Sequence, residues 1–224
     1  MAARRDKDHT RKRPKAYEGV EYEPRSVREL LTEMKDVSEL IVDLAYSALV
    51  FDSKEMADEV RQLEIRMDKL NYQIRLTAMM ASRSLQDAES LTGILQVAEA
   101  AQNISDAAGD IVDLISEEID TRPFLPFVLR DADEKFSAVR IASDSRLVGR
   151  TVQEASTKTS ASVNIIAVRR RGGGWIFDPE PSVKLRGNDI AVLRGTEDGH
   201  GMFQRAARSA APASHQRGQG AERQ

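Results

Sequence analysis

Cysteine is absent from all 224 residues, which excludes disulfides, thiolate metal sites and cysteine nucleophiles together. Histidine is scarce. His9, His200 and His215 are the whole complement, and the sequence pattern puts them in tails or a loop, with no spacing for metal or catalysis. No Gly-x-Ser-x-Gly elbow and no phosphate-binding P-loop occur, so nothing points to an enzyme. No run of 18 apolar residues exists, and the start Met1-Ala2-Ala3-Arg4-Arg5-Asp6 lacks the pattern of a signal peptide. A soluble, cytoplasmic protein is expected. Apolar residues reach 41%, enough to bury a core.

The net charge of −3 hides an asymmetry. Residues 1–15 hold seven Lys/Arg against two Asp, and residues 203–224 hold four Arg against one Glu. The body between these basic ends is strongly acidic. Phosphate contacts dominate affinity for nucleic acid, so an acidic body leads to the expectation of no nucleic-acid partner.

The N-terminal half reads as helices. Ser26 followed by Glu29 forms a capping box, with Pro24 just outside. Apolar residues then recur at three- and four-residue steps from Val27 to Leu49. Asp52-Ser53 interrupts, and Ser53 can cap the next helix. There Val60, Leu63, Met67, Leu70 and Ile74 step 3-4-3-4, a heptad seam. The seam stops at Thr77, and Ala78 and Ala81 carry the apolar face onward. Ser84 to Asp87 makes a turn, and a third helix runs from about Ala88 to Ile119, with Ile104 on its apolar face. Short turns between long helices imply an antiparallel three-helix bundle.

Thr121-Arg122-Pro123-Phe124-Leu125-Pro126 ends the bundle, because proline disfavours helix continuation. Composition then shifts to Val, Ile, Gly and Arg. Strands are expected at Lys135–Ala142, Ser162–Arg170, Trp175–Phe177 and Asp189–Arg194, with a hairpin through Arg171-Gly172-Gly173-Gly174. Helices are expected at Leu147–Ala155 and from Asp198 to Ala210. The fold class is thus α+β and multidomain. Its parts are a basic disordered tail at 1–22, a helical domain at 23–120, a linker at 121–130, a small α/β domain at 131–210 and a disordered tail at 211–224.

The order of pieces in the second half resembles the TrkA-C (RCK-C) regulatory domain of potassium channels and transporters. Ser145-Arg146-Leu147-Val148-Gly149-Arg150-Thr151 matches its Ser-x-Leu-x-Gly-x-Thr segment. Ser162 to Arg170 matches its Gly-Val-x-Val-x-x-Ile-x-Arg strand. Leu185-Arg186-Gly187-Asn188-Asp189 matches its Leu-x-x-Gly-Asp turn, with Asn188 where glycine is usual; Asn tolerates the left-handed conformation needed there. The resemblance implies two-fold pairing and a small-ligand pocket near the dimer interface, the ligand in some members being cyclic di-AMP. It places Asn164 and Ile165 on the pocket strand and makes Arg169 or Arg170 a source of charge for phosphates. On the residues alone, Ile165 and Val168 read equally as core, and Arg169–Arg171 as a solvated hairpin end. Trp175 reads as a packing anchor.

The helical half resembles one three-helix repeat of a PhoU domain, on Glu64–Leu70 and Gln102-Asn103-Ile104-Ser105-Asp106. PhoU proteins carry Glu/Asp-x-x-x-Asp pairs for metal clusters, since residues four apart share a helix face. Glu39 and Asp43 keep one such pair. In the third helix Gln102 replaces the family Glu, while Asp106 remains, with Asp110 along the same side. By this resemblance Glu39, Asp43, Asp106 and Asp110 are candidate ligands of a divalent cation. An acidic stripe opposite an apolar face is also what any solvated helix shows. Together the two resemblances imply a homodimeric regulatory subunit of a membrane potassium channel or cation transporter, governed by a small-molecule effector such as cyclic di-AMP. The alternative is a PhoU-type phosphate-signalling adaptor that binds metal.

Overall fold

A computed structural model describes residues 24–116, 132–158 and 163–208. The tails at 1–22 and 211–224 and the linker at 121–130 lie outside the described residues. The chain divides into two compact units, Met1–Asp120 and Thr121–Gln224.

The first unit holds three helices: α1 (Val27–Phe51), α2 (Lys54–Ala81) and α3 (Leu85–Ser116). Their ends follow local chemistry. Ser26 caps α1 by accepting from the Glu29 N–H at 3.2 Å, and the Glu29 carboxylate accepts from the Ser26 N–H at 2.8 Å. That reciprocal pair satisfies two otherwise orphaned donors. The backbone N–H bond from Ser26 holds the Glu29 carboxyl below its usual range, the serine hydroxyl adding to it. Asp52 ends α1 in the left-handed region at φ 49°, and Ser53 starts α2 by accepting from the Met56 N–H. Ser84 begins α3 by accepting from the Asp87 N–H at 3.1 Å.

The heptad seam of α2 is the centre of this unit. Val60, Leu63, Met67, Leu70 and Ile74 are all buried, against Leu30, Met34, Ile41 and Leu44 of α1 and Ala98, Ala108 and Val112 of α3 in the same core. Ala78 continues the seam, whereas Ala81 is exposed at the end of the helix. Ile104 is also a correction, since it lies 44% exposed. Its position falls at the edge of the α3 face that buries Ala98, Ala108 and Val112, one turn before Ala108, a distinction that a broad apolar pattern cannot make.

The second unit is a four-stranded antiparallel sheet in the order β1-β4-β2-β3, from β1 (Lys135–Arg140), β2 (Val163–Arg169), β3 (Trp175–Phe177) and β4 (Ile190–Gly195). Two helices, α4 (Val152–Lys158) and α5 (Glu197–Ala207), contribute to its core. The core gathers Val139, Ile141, Leu147, Ala155, Ile165, Val168, Leu193 and Phe203. Ile165 and Val168 are three residues apart yet share this core, which strict alternation forbids. A register shift between Ile165 and Ala167 against β4 supplies the extra residue. Asn188 takes φ 69°, the left-handed turn expected of it.

His200 corrects the sequence reading. It lies inside α5, only 6% exposed. Its Nε2 faces the carbonyls of Lys135 at 2.9 Å and Gly195 at 3.1 Å. Both are acceptors, so Nε2 carries the proton and Nδ1 accepts from the Ser137 hydroxyl. The ring therefore clamps α5 to the start of β1 and the end of β4.

Candidate functional site

The four residues singled out for ligand contact do not converge within one copy of the chain. Asn164 is exposed on β2, paired across the sheet with Arg194 of β4. Its neighbour Ile165 is 3% exposed and belongs to the core. At the other end of the strand, the Arg169 guanidinium lies 5.6 Å from the centre of the Trp175 ring, which itself stacks on Phe177 at 5.9 Å. Trp175 is thus part of a packed hairpin. Arg170 turns inward, pairs with the carboxylate of Asp189 and donates to the Lys184 carbonyl at 3.0 Å. Asp189 is 1% exposed and also accepts from the Arg186 N–H at 2.8 Å. Arg170 is therefore committed to holding the Gly187-Asn188-Asp189 turn against the hairpin. Six residues separate Asn164 from Arg170, about 20 Å of strand.

The acidic candidates divide in the same way. Glu39 is exposed and paired with Lys35 at 2.9 Å, while Asp43 is buried, 5% exposed. Asp110 is exposed on α3. Asp106 joins a different group. The Gln102 Nε2 donates to the Asp68 carboxylate at 2.8 Å and to the Asp106 carboxylate at 2.9 Å. A cation would have to occupy a place between carboxylates that this amide nitrogen now fills. Gln102 is 7% exposed, so the amide is a buried clasp between α2 and α3. Among the described residues no group of three or more His, Asp or Glu is placed to hold a metal ion. The residues present do not fit a PhoU-type metal cluster.

That clasp gives a direct expectation. Gln102→Glu removes two donors and adds a third carboxylate, and should cost about 1–3 kcal/mol, the range for leaving buried polar groups unsatisfied. Thermal melts of the full chain at pH 7 should show it, and the loss should shrink toward pH 5, where the introduced carboxyl can protonate and donate again. An unchanged melting temperature at pH 7 would mean the amide bridges carry no weight.

One concave feature escaped the sequence reading. A cleft of about 470 Å³ lies between the 145–151 turn and α5, lined by Arg146, Leu147, Arg150, Glu154, Met202 and Arg205. Its arginines come from two segments some 60 residues apart in sequence, so only the fold brings them together.

The fold thus defines two classes of module, a three-helix bundle and a small antiparallel α/β domain with a hairpin. Residues 31–115 match the PhoU domain and residues 136–207 match the TrkA-C domain, so this chain joins a PhoU domain to a TrkA-C domain. Among curated proteins no match is found. Solved structures with a similar chain path include the RCK C domain of the potassium transport protein KtrA in complex with cyclic diadenosine monophosphate. It is 19% identical, with 38% of this chain and 96% of that chain covered and a TM-score of 0.29. The GsuK RCK domain is 17% identical, covering 50% of this chain but only 24% of its own, with a TM-score of 0.31. BusR of S. agalactiae, solved with its busAB-promoter DNA, is 15% identical over 82% of this chain and 97% of that one, with a TM-score of 0.30.

The last of these corrects the expectation that nucleic acid is excluded as a partner. BusR was solved with promoter DNA, and a net charge taken over the whole chain does not by itself exclude nucleic acid. The physical reason is that phosphate affinity depends on where Lys and Arg stand, not on their balance over the whole chain. Among the described residues no helix is long and apolar enough to cross a membrane.

Proposed function

We propose that this chain is a cytoplasmic, non-catalytic regulatory subunit of a membrane potassium channel or cation transporter, and that its TrkA-C domain works as a dimer that reads a small effector. The observation that carries this reading is the TrkA-C match over residues 136–207. Asn164 supports it, as an exposed polar side chain on a strand otherwise buried from Val163 to Val168. In a two-fold dimer it would be presented twice, so cyclic di-AMP, itself two-fold symmetric, is the effector to test first.

Pairing has support in the helical unit as well. Gly93, Val97, Ala100, Ile104 and Ala107 are all exposed and step 4-3-4-3 along α3. That is a second heptad seam, with Val97 58% and Ile104 44% exposed, and it suits another copy of the same helix. Effector binding must favour one arrangement of the dimer over another, or nothing is regulated. The PhoU match over residues 31–115 favours a second reading, a phosphate-signalling adaptor. The Gln102 clasp weighs against its metal-binding form.

Cyclic di-AMP should raise the melting temperature of the full chain, by linkage to the folded state. Asn164→Ala should abolish the rise while leaving the unliganded melt within about 0.5 kcal/mol of wild type, since the side chain is exposed. No shift at millimolar cyclic di-AMP would overturn this effector.

A further inference from the structure

We propose that the cleft between the 145–151 turn and α5 is a second ligand site, for a phosphorylated small molecule of mononucleotide size, separate from the strand that carries Asn164. Its volume of about 470 Å³ falls within the roughly 300–1,000 Å³ usual for small-molecule sites. The chemistry of the lining is uneven in a way that selects an anion. Arg146, Arg150 and Arg205 face it, against the single carboxylate of Glu154.

That carboxylate is already engaged. Glu154 accepts from the Thr151 N–H at 3.1 Å, while its own N–H donates to the Thr151 hydroxyl at 3.1 Å. This capping box starts α4, and the spare oxygen of Glu154 reaches the Arg150 Nη1 at only 3.7 Å. Arg146 and Arg205 make no ion pair among the described residues. Two guanidinium groups without a carboxylate, and a third weakly held, converge on one concavity. Arginine forks match phosphate oxygens bidentately, and each such bond is charge-assisted.

The rest of the lining says what the phosphate is attached to. Of its apolar lining residues, Leu147 is buried, whereas Met202 stays 38% exposed. An exposed methionine beside a buried leucine offers an adaptable apolar ledge. Inorganic phosphate would leave that ledge wet. A phosphate carrying a flat, weakly polar group would cover it. A Cβ at Gly201 would stand in ordinary van der Waals contact with the Arg205 Nη1, at 3.5 Å. The Arg205 side chain thus folds back along α5, beside Met202.

Isothermal titration of the full chain with AMP, glucose 6-phosphate and inorganic phosphate tests the site. AMP should bind, with glucose 6-phosphate and inorganic phosphate weaker. The double variant Arg146→Ala/Arg205→Ala should weaken AMP binding by at least about tenfold, the lower end for losing charge-assisted bonds. Both arginines are exposed, so the variant should keep the wild-type melting temperature. Asn164→Ala should leave AMP binding unchanged, which separates this site from the effector reading above. Retained AMP affinity in the double variant would overturn the proposal, as would no binding of any of the three at millimolar concentration. Equal binding of all three would overturn the role of the apolar ledge. Loss of AMP binding in Asn164→Ala would overturn the separation of the two sites. Duplex DNA binding that depends on the same arginines, without AMP binding, would overturn the small-molecule assignment.

Discussion

Arg170→Met should destabilise the TrkA-C unit by about 3–5 kcal/mol, the usual cost of breaking a buried ion pair by removing one partner. The partner left behind is the reason. Asp189 is 1% exposed, and without Arg170 its carboxylate keeps the Arg186 N–H and loses the guanidinium. The Lys184 carbonyl loses its donor in the same step. Denaturant unfolding of the full chain, followed by tryptophan fluorescence, reports on this unit alone because Trp175 is the only tryptophan. Asp189→Leu in the same background should recover part of the loss, since two apolar residues no longer strand a charge. A double variant as unstable as the sum of the singles would show that the pair is not the cause. The result also bears on ligand assays. A drop in effector binding in an Arg170 variant reads first as loss of the Gly187-Asn188-Asp189 turn, so Asn164→Ala is the sounder probe of the strand.

How much of this was legible beforehand depends on the range over which each signal acts. The Ser26–Glu29 box, the Ser53 cap, the Asn188 turn and the α2 seam are set by residues within a turn or a heptad of each other, and they stand where the sequence puts them. The succession of strands along the chain followed from the match of successive segments to a known pattern, whereas their order in the sheet, with β4 between β1 and β2, did not. What escaped was nonlocal. The register shift beside Ile166 depends on how β2 meets β4 and leaves no mark in a run of apolar residues. The pairing of Arg170 with Asp189 spans 19 positions. His200 reads as a loop residue until the Lys135 and Gly195 carbonyls are brought to its ring. Gln102 was legible as a substitution for Glu, but its two carboxylate partners include Asp68, 34 positions away. The cleft arginines are the extreme case, exposed residues with no periodicity at all.

Phe203→Ala should cost about 3–5 kcal/mol, the range for deleting a buried aromatic from a packed core. Phe203 is fully buried and, among the described residues, the largest of the completely enclosed side chains. It sits between His200 and Ala207 on the buried face of α5, at steps of three and four, so it is the main apolar anchor of that helix. With its largest apolar contact gone, and His200, Ala207 and the bonds from the Ser145 hydroxyl and the Ala142 N–H to the Ala206 and Ala207 carbonyls left to hold it, α5 should loosen from the sheet before the strands separate. Met202→Ala, one residue away but exposed, should change stability by no more than about 0.5 kcal/mol. The contrast tests anchoring against a general effect of changing α5. Because Met202 and Arg205 line the cleft from this helix, Phe203→Ala should also weaken AMP binding without removing any lining group. The helical signal of the first unit should persist through the early transition, as its buried seam is a core of its own. Far-ultraviolet circular dichroism during thermal unfolding, with Trp175 fluorescence alongside, separates the two transitions. Coincident loss of both signals in the variant would mean that the units unfold as one and that α5 anchors more than its own sheet.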